Sequence, residues 1–342
     1  METVHGGDIY RNADCVDFSA NINPLGTPLE VKKAMQESLE QVHNYPDVFC
    51  EKLKESLSAF HGIKEEQIIC GNGAADIIFR FAFATKPKQA LVLAPCFAEY
   101  EQALCFVGTN VEHYALDMEN FCLDEAFLDA LTKELDVVFL CNPNNPTGKT
   151  IPQSLLLRIA DKCKQNQIRL FLDECFLDFL PDENKRSLIK QAAKETHIFI
   201  LRAFTKMYAV PGIRLGYGIS ADKALIETMV HAGPPWNVSV PAQAAGVASL
   251  KQKGFVEETR TYIKQEREFL EEQLKRLHIT FWESSANYIF LYDTRDLKQK
   301  LLKQRVLIRD CSNYVGLSKG YYRIAVKDRE SNEKLIEALE RL

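Results

Sequence analysis

The chain has 342 residues, 46% of them apolar and 26% charged, which suits a soluble protein with one large core and a smaller one. Lysine and arginine number 42 against 47 aspartates and glutamates, a net charge of −5 with no basic block, and this excludes the electrostatic footprint of a nucleic-acid binder. No apolar stretch is long enough to span a bilayer, METVHGGDIY holds no apolar signal core, and ten scattered cysteines without a CxxC pair suggest neither zinc nor a dithiol centre, so a reduced cytoplasm, with no metal and no membrane partner, is the expectation.

Residues 1–30 are dense in Gly, Asn, Asp and Pro and show neither helical nor strand period. A segment of that length is expected to wrap a neighbour or cover a site. Apolar residues at Val31, Ala34, Met35, Leu39 and Val42 predict a helix over 29–42, HNYPD breaks it, and a second helix is predicted over 48–60. From residue 67 short apolar runs alternate with helical segments: 68–70 then 75–83, 90–93 then 98–107, 111–114 then 123–131, 137–140 then 152–164, 168–172 then 187–193, and 197–201, with a further strand at 215–219. Nearly all-apolar strands, each followed by a helix, predict a mostly parallel sheet covered on both faces. After residue 254 a long amphipathic helix over 255–277 leads to short strands near 279–282, 288–292, 306–309 and 322–326, with helices at 297–304 and 330–342. The expected division is a large α/β domain over 46–254 and a smaller α+β domain made of 1–45 and 255–342.

In such sheets ligands bind beyond the carboxyl ends of the strands, so chemically distinctive residues are expected there. Gly71-Asn72-Gly73-Ala74-Ala75-Asp76 follows the first strand. It reads either as a helix start that offers backbone N–H groups to a phosphate, or as a tight turn that needs glycine. Phe97 follows the second strand, placed to stack on a heterocycle or to pack in a core. Asn142-Pro143-Asn144-Asn145-Pro146-Thr147-Gly148 follows 137–140; its X-Pro steps stiffen the loop and Asn145 can donate to a phenolate oxygen. Asp173 ends 168–172, either as a carboxylate that keeps a ring nitrogen protonated or as a cap. Lys206 follows 197–201, and Arg214 stands eight residues on. A lone loop lysine is ordinarily a solvated charge, but one held at the end of a buried strand loses part of its preference for the charged form and can attack an aldehyde. Arginine offers a phosphate a fixed fork of donors. An aldehyde with a phosphate at its other end is pyridoxal 5′-phosphate.

GNGAAD, NPNNPTG, LDE and FTKMYAVPGIRLGY, in that order, resemble the fold-type I pyridoxal-phosphate enzymes of the class I and II aminotransferase superfamily over most of the chain. The resemblance implies a mostly parallel central sheet covered by helices, plus a smaller α+β domain. It implies that Lys206 carries the covalent link to the cofactor and then moves the proton. Asp173 would pair with the pyridinium, Asn145 bond the phenolic oxygen and Phe97 stack on the ring. Arg214, Thr205, Gly73 and the amides of Ala74 and Ala75 would hold the phosphate. Tyr45 resembles the tyrosine that reaches the cofactor of a partner subunit, which implies a homodimer, and Arg323 the arginine that grips a substrate carboxylate. Two positions depart from the common pattern: Ala203 where relatives often have Ser or Thr, and Phe176 where aminotransferases usually place a tyrosine.

Within that superfamily, HGGDIYRNADCVDFSANINPLGTP, NYPDV, LDECFLDF and IRDCSNYVGLSKGYYRIAV resemble the L-threonine-O-3-phosphate decarboxylase family of cobalamin synthesis. Histidinol-phosphate aminotransferases are the next likeness. The resemblance implies decarboxylation of L-threonine O-3-phosphate to (R)-1-amino-2-propanol O-2-phosphate. The alternatives are a histidinol-phosphate aminotransferase or an L-serine O-phosphate decarboxylase. It also implies a grip on the substrate's phosphate by Arg309, aided by His5 and Asn21. The plainer readings are an ion pair of Arg309 with Asp310 and a solvated His5.

Overall fold

The computed structural model describes residues 5–342. A two-residue strand, β1 (Val16–Asp17), opens the chain. Then come β2 (Ile68–Gly71), β3 (Gln89–Ala94), β4 (Asn110–Ala115), β5 (Val137–Cys141), β6 (Arg169–Asp173), β7 (Ile198–Ala203) and β8 (Gly216–Ile219), which form one seven-stranded sheet of order β2-β8-β7-β6-β5-β3-β4. All its pairings are parallel except those of β8, which runs antiparallel to both β2 and β7. β5 and β7 are buried along their whole length, since helices cover both faces; β5 is apolar throughout and β7 as far as Leu201, after which the buried Arg202 pairs with Glu174.

Under the sheet, Phe139, Phe171 and Phe199 lie in register on β5, β6 and β7. Their rings stack with centroids 4.3 and 5.2 Å apart, and Phe81 of the helix Ala74–Thr85 meets the first two edge-on. β8 makes room for this ladder with Gly218, where a Cβ would fall 2.2 Å from Phe199.

The second sheet, of order β12-β13-β10-β9, is antiparallel and consists of β9 (Thr280–Trp282), β10 (Tyr288–Tyr292), β12 (Arg309–Asp310) and β13 (Tyr321–Ala325). The predicted strand over 306–309 divides in two. β11 (Val306–Leu307) pairs with β1, while β12 turns to β13. The N-terminal segment is thereby bound to this layer: Phe18 N–H donates to Leu307 O at 2.7 Å, and Ala325 N–H to Phe18 O at 2.8 Å.

Two boundaries differ from expectation for identifiable reasons. The helix expected over 48–60 is Glu51–His61, because the Asp47 carboxylate takes the N–H groups of Phe49 and Glu51 while Cys50 adopts a left-handed backbone, φ 52°. In 123–131 only Phe127–Ala130 is α-helical, since Asn120 and Asp124 side chains capture the N–H groups of Cys122 and Ala126. Two helices were not foreseen, Lys223–His231 and Val240–Ser249, capped by Asp222 and Ser239; the second packs against Leu29–Ser38.

Candidate active site

A cavity of about 300 Å³ opens beyond the carboxyl ends of β5, β6 and β7. Ser19, Ala20 and Asn21 of the N-terminal segment and Arg309, Tyr314 and Arg323 of the smaller sheet region help to line it.

Asp173 is the last residue of β6 and is buried. Its Oδ2 accepts from the Tyr100 hydroxyl at 2.6 Å and its Oδ1 from the Cys175 N–H at 2.8 Å. Burial pushes the carboxyl pKa up, while the donors from Tyr100 and Cys175 and the charge of Lys206 pull it down. Lys206 lies in the loop after β7 and faces the same cavity. Burial and then the charge of Arg323, with a smaller push from Arg214, lower its pKa to about 8. Its Nζ stands 5.9 Å from the centre of the Phe176 ring.

The loop carrying Asn145 is held by its own polar groups. Asn142 Oδ1 accepts from Ile151 N–H at 2.9 Å, Asn144 Nδ2 donates to Pro95 O at 3.1 Å, and Tyr288 donates to Asn144 O at 2.7 Å. Asn145 Oδ1 accepts from Arg323 Nη1 and, at 3.5 Å, from the Tyr314 hydroxyl. That assignment leaves the Asn145 Nδ2 to donate to a ligand.

On the opposite side Gly73, at φ +87°, caps the helix Ala74–Thr85. A Cβ at Gly73 would fall 2.5 Å from Arg214 Nη2, so glycine is what lets the guanidinium reach the helix start. Ala74 and Ala75 supply the first amides of that helix, which have no carbonyl one turn back to bond. Ala74, Thr205, Arg214, Phe97 and Ala203 line the cavity, whereas Ala75 is set back from it.

Arg323 and Arg309 are both buried arginines, and among the described residues neither is paired with a carboxylate. Arg323 Nη2 donates to Ser19 O at 2.8 Å, and its Nε is buried without a partner among the described residues. Arg309 donates to Asp310 O at 2.7 Å and to Asn313 Oδ1 at 2.8 Å, so its bond to Asp310 is to the backbone carbonyl and not to the side chain. Asn21 is 2% exposed and its Oδ1 has no partner among the described residues. His5 is not simply solvated: its Nε2 lies 3.2 Å from Glu99 Oε1. Tyr45 stands apart from the cavity, 78% exposed, stacked on Trp236 with centroids 4.5 Å apart.

Glu99, Tyr100 and Tyr314 line the cavity without having been singled out in the sequence. The first two had a signal: they follow Phe97 within one helical turn, at a strand end. The arrangement fits pyridoxal 5′-phosphate. Gly73 lets the Arg214 guanidinium lie beside the helix start at Ala74, a pairing that suits a phosphate; a buried carboxylate, Asp173, and an amide donor, Asn145, line the same cavity; and the Arg323 Nε and Asn21 Oδ1, unpartnered among the described residues, call for a polar ligand.

The family model for class I and II aminotransferases matches residues 13–339. Threonine-phosphate decarboxylase of Salmonella typhimurium is 39% identical over 99% of this chain and 96% of that protein. Histidinol-phosphate aminotransferase of Methanosphaera stadtmanae is 31% identical over 96% of this chain and 90% of its own length. Among solved structures, the histidinol-phosphate aminotransferase from Clostridium acetobutylicum superposes with a TM-score of 0.88 at 31% identity, covering 95% of this chain and 98% of that one.

Proposed function

The chain belongs to the class I and II aminotransferase family and depends on pyridoxal phosphate; from that premise we propose that it decarboxylates L-threonine O-3-phosphate to (R)-1-amino-2-propanol O-2-phosphate. The observation that carries this reading is the presence of two buried guanidinium groups at the cavity, Arg323 and Arg309, neither in salt-bridge contact with a carboxylate among the described residues, the Glu99 carboxylate of the same cavity being turned to His5. A substrate with both a carboxylate and a phosphate supplies a partner to each. Histidinol phosphate has no carboxylate to offer Arg323. The relative named as a threonine-phosphate decarboxylase supports the same assignment.

Pyridoxal phosphate, when bound, supplies an electron sink for the pair left at the substrate's Cα. Arg214, Thr205 and the amides of Ala74 and Ala75 hold its phosphate, with Gly73 giving them room. Asp173 would keep the ring nitrogen protonated, Asn145 would donate to the phenolic oxygen, and Phe97 would pack against the ring. Lys206, with its pKa lowered to about 8, exchanges a proton readily near neutral pH. It would carry the covalent link to the cofactor and would deliver the proton that takes the place of carbon dioxide at Cα. Arg323 and Arg309 would fix how the substrate is turned, by gripping its carboxylate and its phosphate, and so would decide which bond at Cα is broken. Phe176 offers no hydroxyl beside Lys206, which leaves fewer groups able to remove the Cα proton.

The same proposal includes a homodimer in the cytoplasm, with Tyr45 of each subunit reaching the partner's cofactor. Its support is the exposed apolar set around Tyr45, namely Leu39, Val42, Val48, Phe49 and Trp236. The division into a cofactor domain over 46–254 and a smaller domain of 1–45 and 255–342 belongs to this reading too.

The test is carbon dioxide release from L-threonine O-3-phosphate by the holoenzyme. Release without any keto acid, lost in Lys206→Ala, is the expected result. Substrate consumption that requires 2-oxoglutarate and yields no carbon dioxide would replace the proposal with an aminotransferase.

A further inference from the structure

A carboxylate in a cavity meant for anions needs an account. Glu99 sits in the first turn of the helix Ala98–Phe106, between Phe97 and Tyr100, and faces the cavity with a side chain only 12% exposed. Its two oxygens differ. Oε1 lies 3.2 Å from His5 Nε2, and Oε2 is buried with no partner among the described residues. The groups around it come from every side: His5 from the N-terminal segment, Arg309 from β12, Lys206 from the loop after β7, Asp173 from the end of β6, and Cys96 from the turn before its own helix. Two of these, His5 and Arg309, are the residues assigned above to the substrate's phosphate. An ionised Glu99 would repel that phosphate, and an apolar residue would leave His5 without its anchor.

We propose that Glu99 is a further contact for the substrate's phosphate: in its protonated form it donates through Oε2 to a phosphate oxygen while Oε1 holds His5 in place, so that phosphate binding draws a proton onto it. This rests on the phosphate-ester reading of the substrate. The electrostatics agree. Burial raises the Glu99 carboxyl to about 7 even with Arg309 and Lys206 pulling it down. Such a group is mostly ionised at pH 7.5 in the empty site, and an incoming dianion raises it further. Binding at that pH therefore takes up a proton, to a limit of about 0.8.

The test uses the pyridoxal-phosphate-loaded enzyme, whose cofactor phosphate is already seated, and isopropyl phosphate, which carries the substrate's phosphate end without amine or carboxylate and is not turned over. Calorimetric titration at pH 7.5 in buffers of different ionisation enthalpy reads affinity and proton uptake together. Wild type is expected to bind with net uptake. Glu99→Gln, whose amide also donates, keeps affinity within about threefold but loses the uptake, and Glu99→Ala weakens binding by about tenfold. Uptake unchanged in Glu99→Gln, or an ester bound as tightly by Glu99→Ala as by wild type, would overturn the proposal. Its failure is separable from failure of the reaction assignment, because carbon dioxide release from L-threonine O-3-phosphate is measured independently on the wild type.

Discussion

Lys206 shows how the chain trades stability for reactivity. Its pKa of about 8 in the folded protein compares with an ordinary 10.5. Between those values the unfolded chain holds a proton that the folded one has shed, so folding becomes more favourable as pH rises through that window. Below pH 8 the penalty is complete. Lys206→Met is therefore expected to stabilise the cofactor-free protein by about 2 kcal/mol at pH 7, allowing for the partial exposure of the amine, with less than about half of that remaining at pH 9.5. Urea unfolding at the two pH values measures the difference. A gain independent of pH would mean that the lysine is not desolvated in the folded state. The same burial that costs stability leaves a neutral fraction of amine available for covalent chemistry.

At the scale of elements, the N-terminal segment is the least regular part and the most closely tied to the active-site loops. Asn23 is its anchor: its N–H donates to Lys206 O at 3.2 Å, and its Nδ2 to Met207 O at 2.7 Å and to Thr259 Oγ1 at 2.8 Å. Asn23→Ala keeps the backbone bond to Lys206 O but leaves Met207 O, Thr259 Oγ1 and the Leu25 N–H without the Asn23 side chain, and is expected to cost about 2 kcal/mol in denaturant unfolding and to speed amide exchange of the segment over 5–22. Unchanged exchange there would show that β1 alone holds it. How much of this was legible follows from where each signal lies. Strands β5 to β7 announced themselves because both faces are covered, so that 137–140, 170–172 and 198–201 are each wholly apolar. Lys206, Asp173 and Asn145 were legible because a strand end is where such a sheet places its chemistry. Glu99 and Tyr100 were harder, since they reach the cavity from a neighbouring helix and their aim depends on how that helix is turned. Tyr314 and Asn23 act across 169 and 184 residues of chain, a pairing that no local pattern encodes. The helix Val240–Ser249 escaped for a different reason: alanine, glycine and serine give it no apolar period, only a serine cap.

At the scale of the whole molecule, the exposed Tyr45–Trp236 stack sets the strongest expectation about assembly. Co-expressed Tyr45→Ala and Lys206→Ala chains are expected to recover carbon dioxide release that neither gives alone at full strength, because a mixed pair contains one site with both side chains intact. Absence of recovery in purified mixed dimers would place Tyr45 outside the partner's site. Within each subunit, the ladder of Phe139, Phe171 and Phe199 has a mechanical meaning. Stacked rings on neighbouring strands resist sliding, so β5, β6 and β7 behave as one stiff plate, and Gly218 leaves no slack beneath it. Asn145, Asp173 and Lys206 project from a single edge of that plate and keep their spacing during turnover. Any breathing that admits substrate is then expected where the plate meets the N-terminal strap and its antiparallel layer, a lid that would lift from a bench with the tools still in their places.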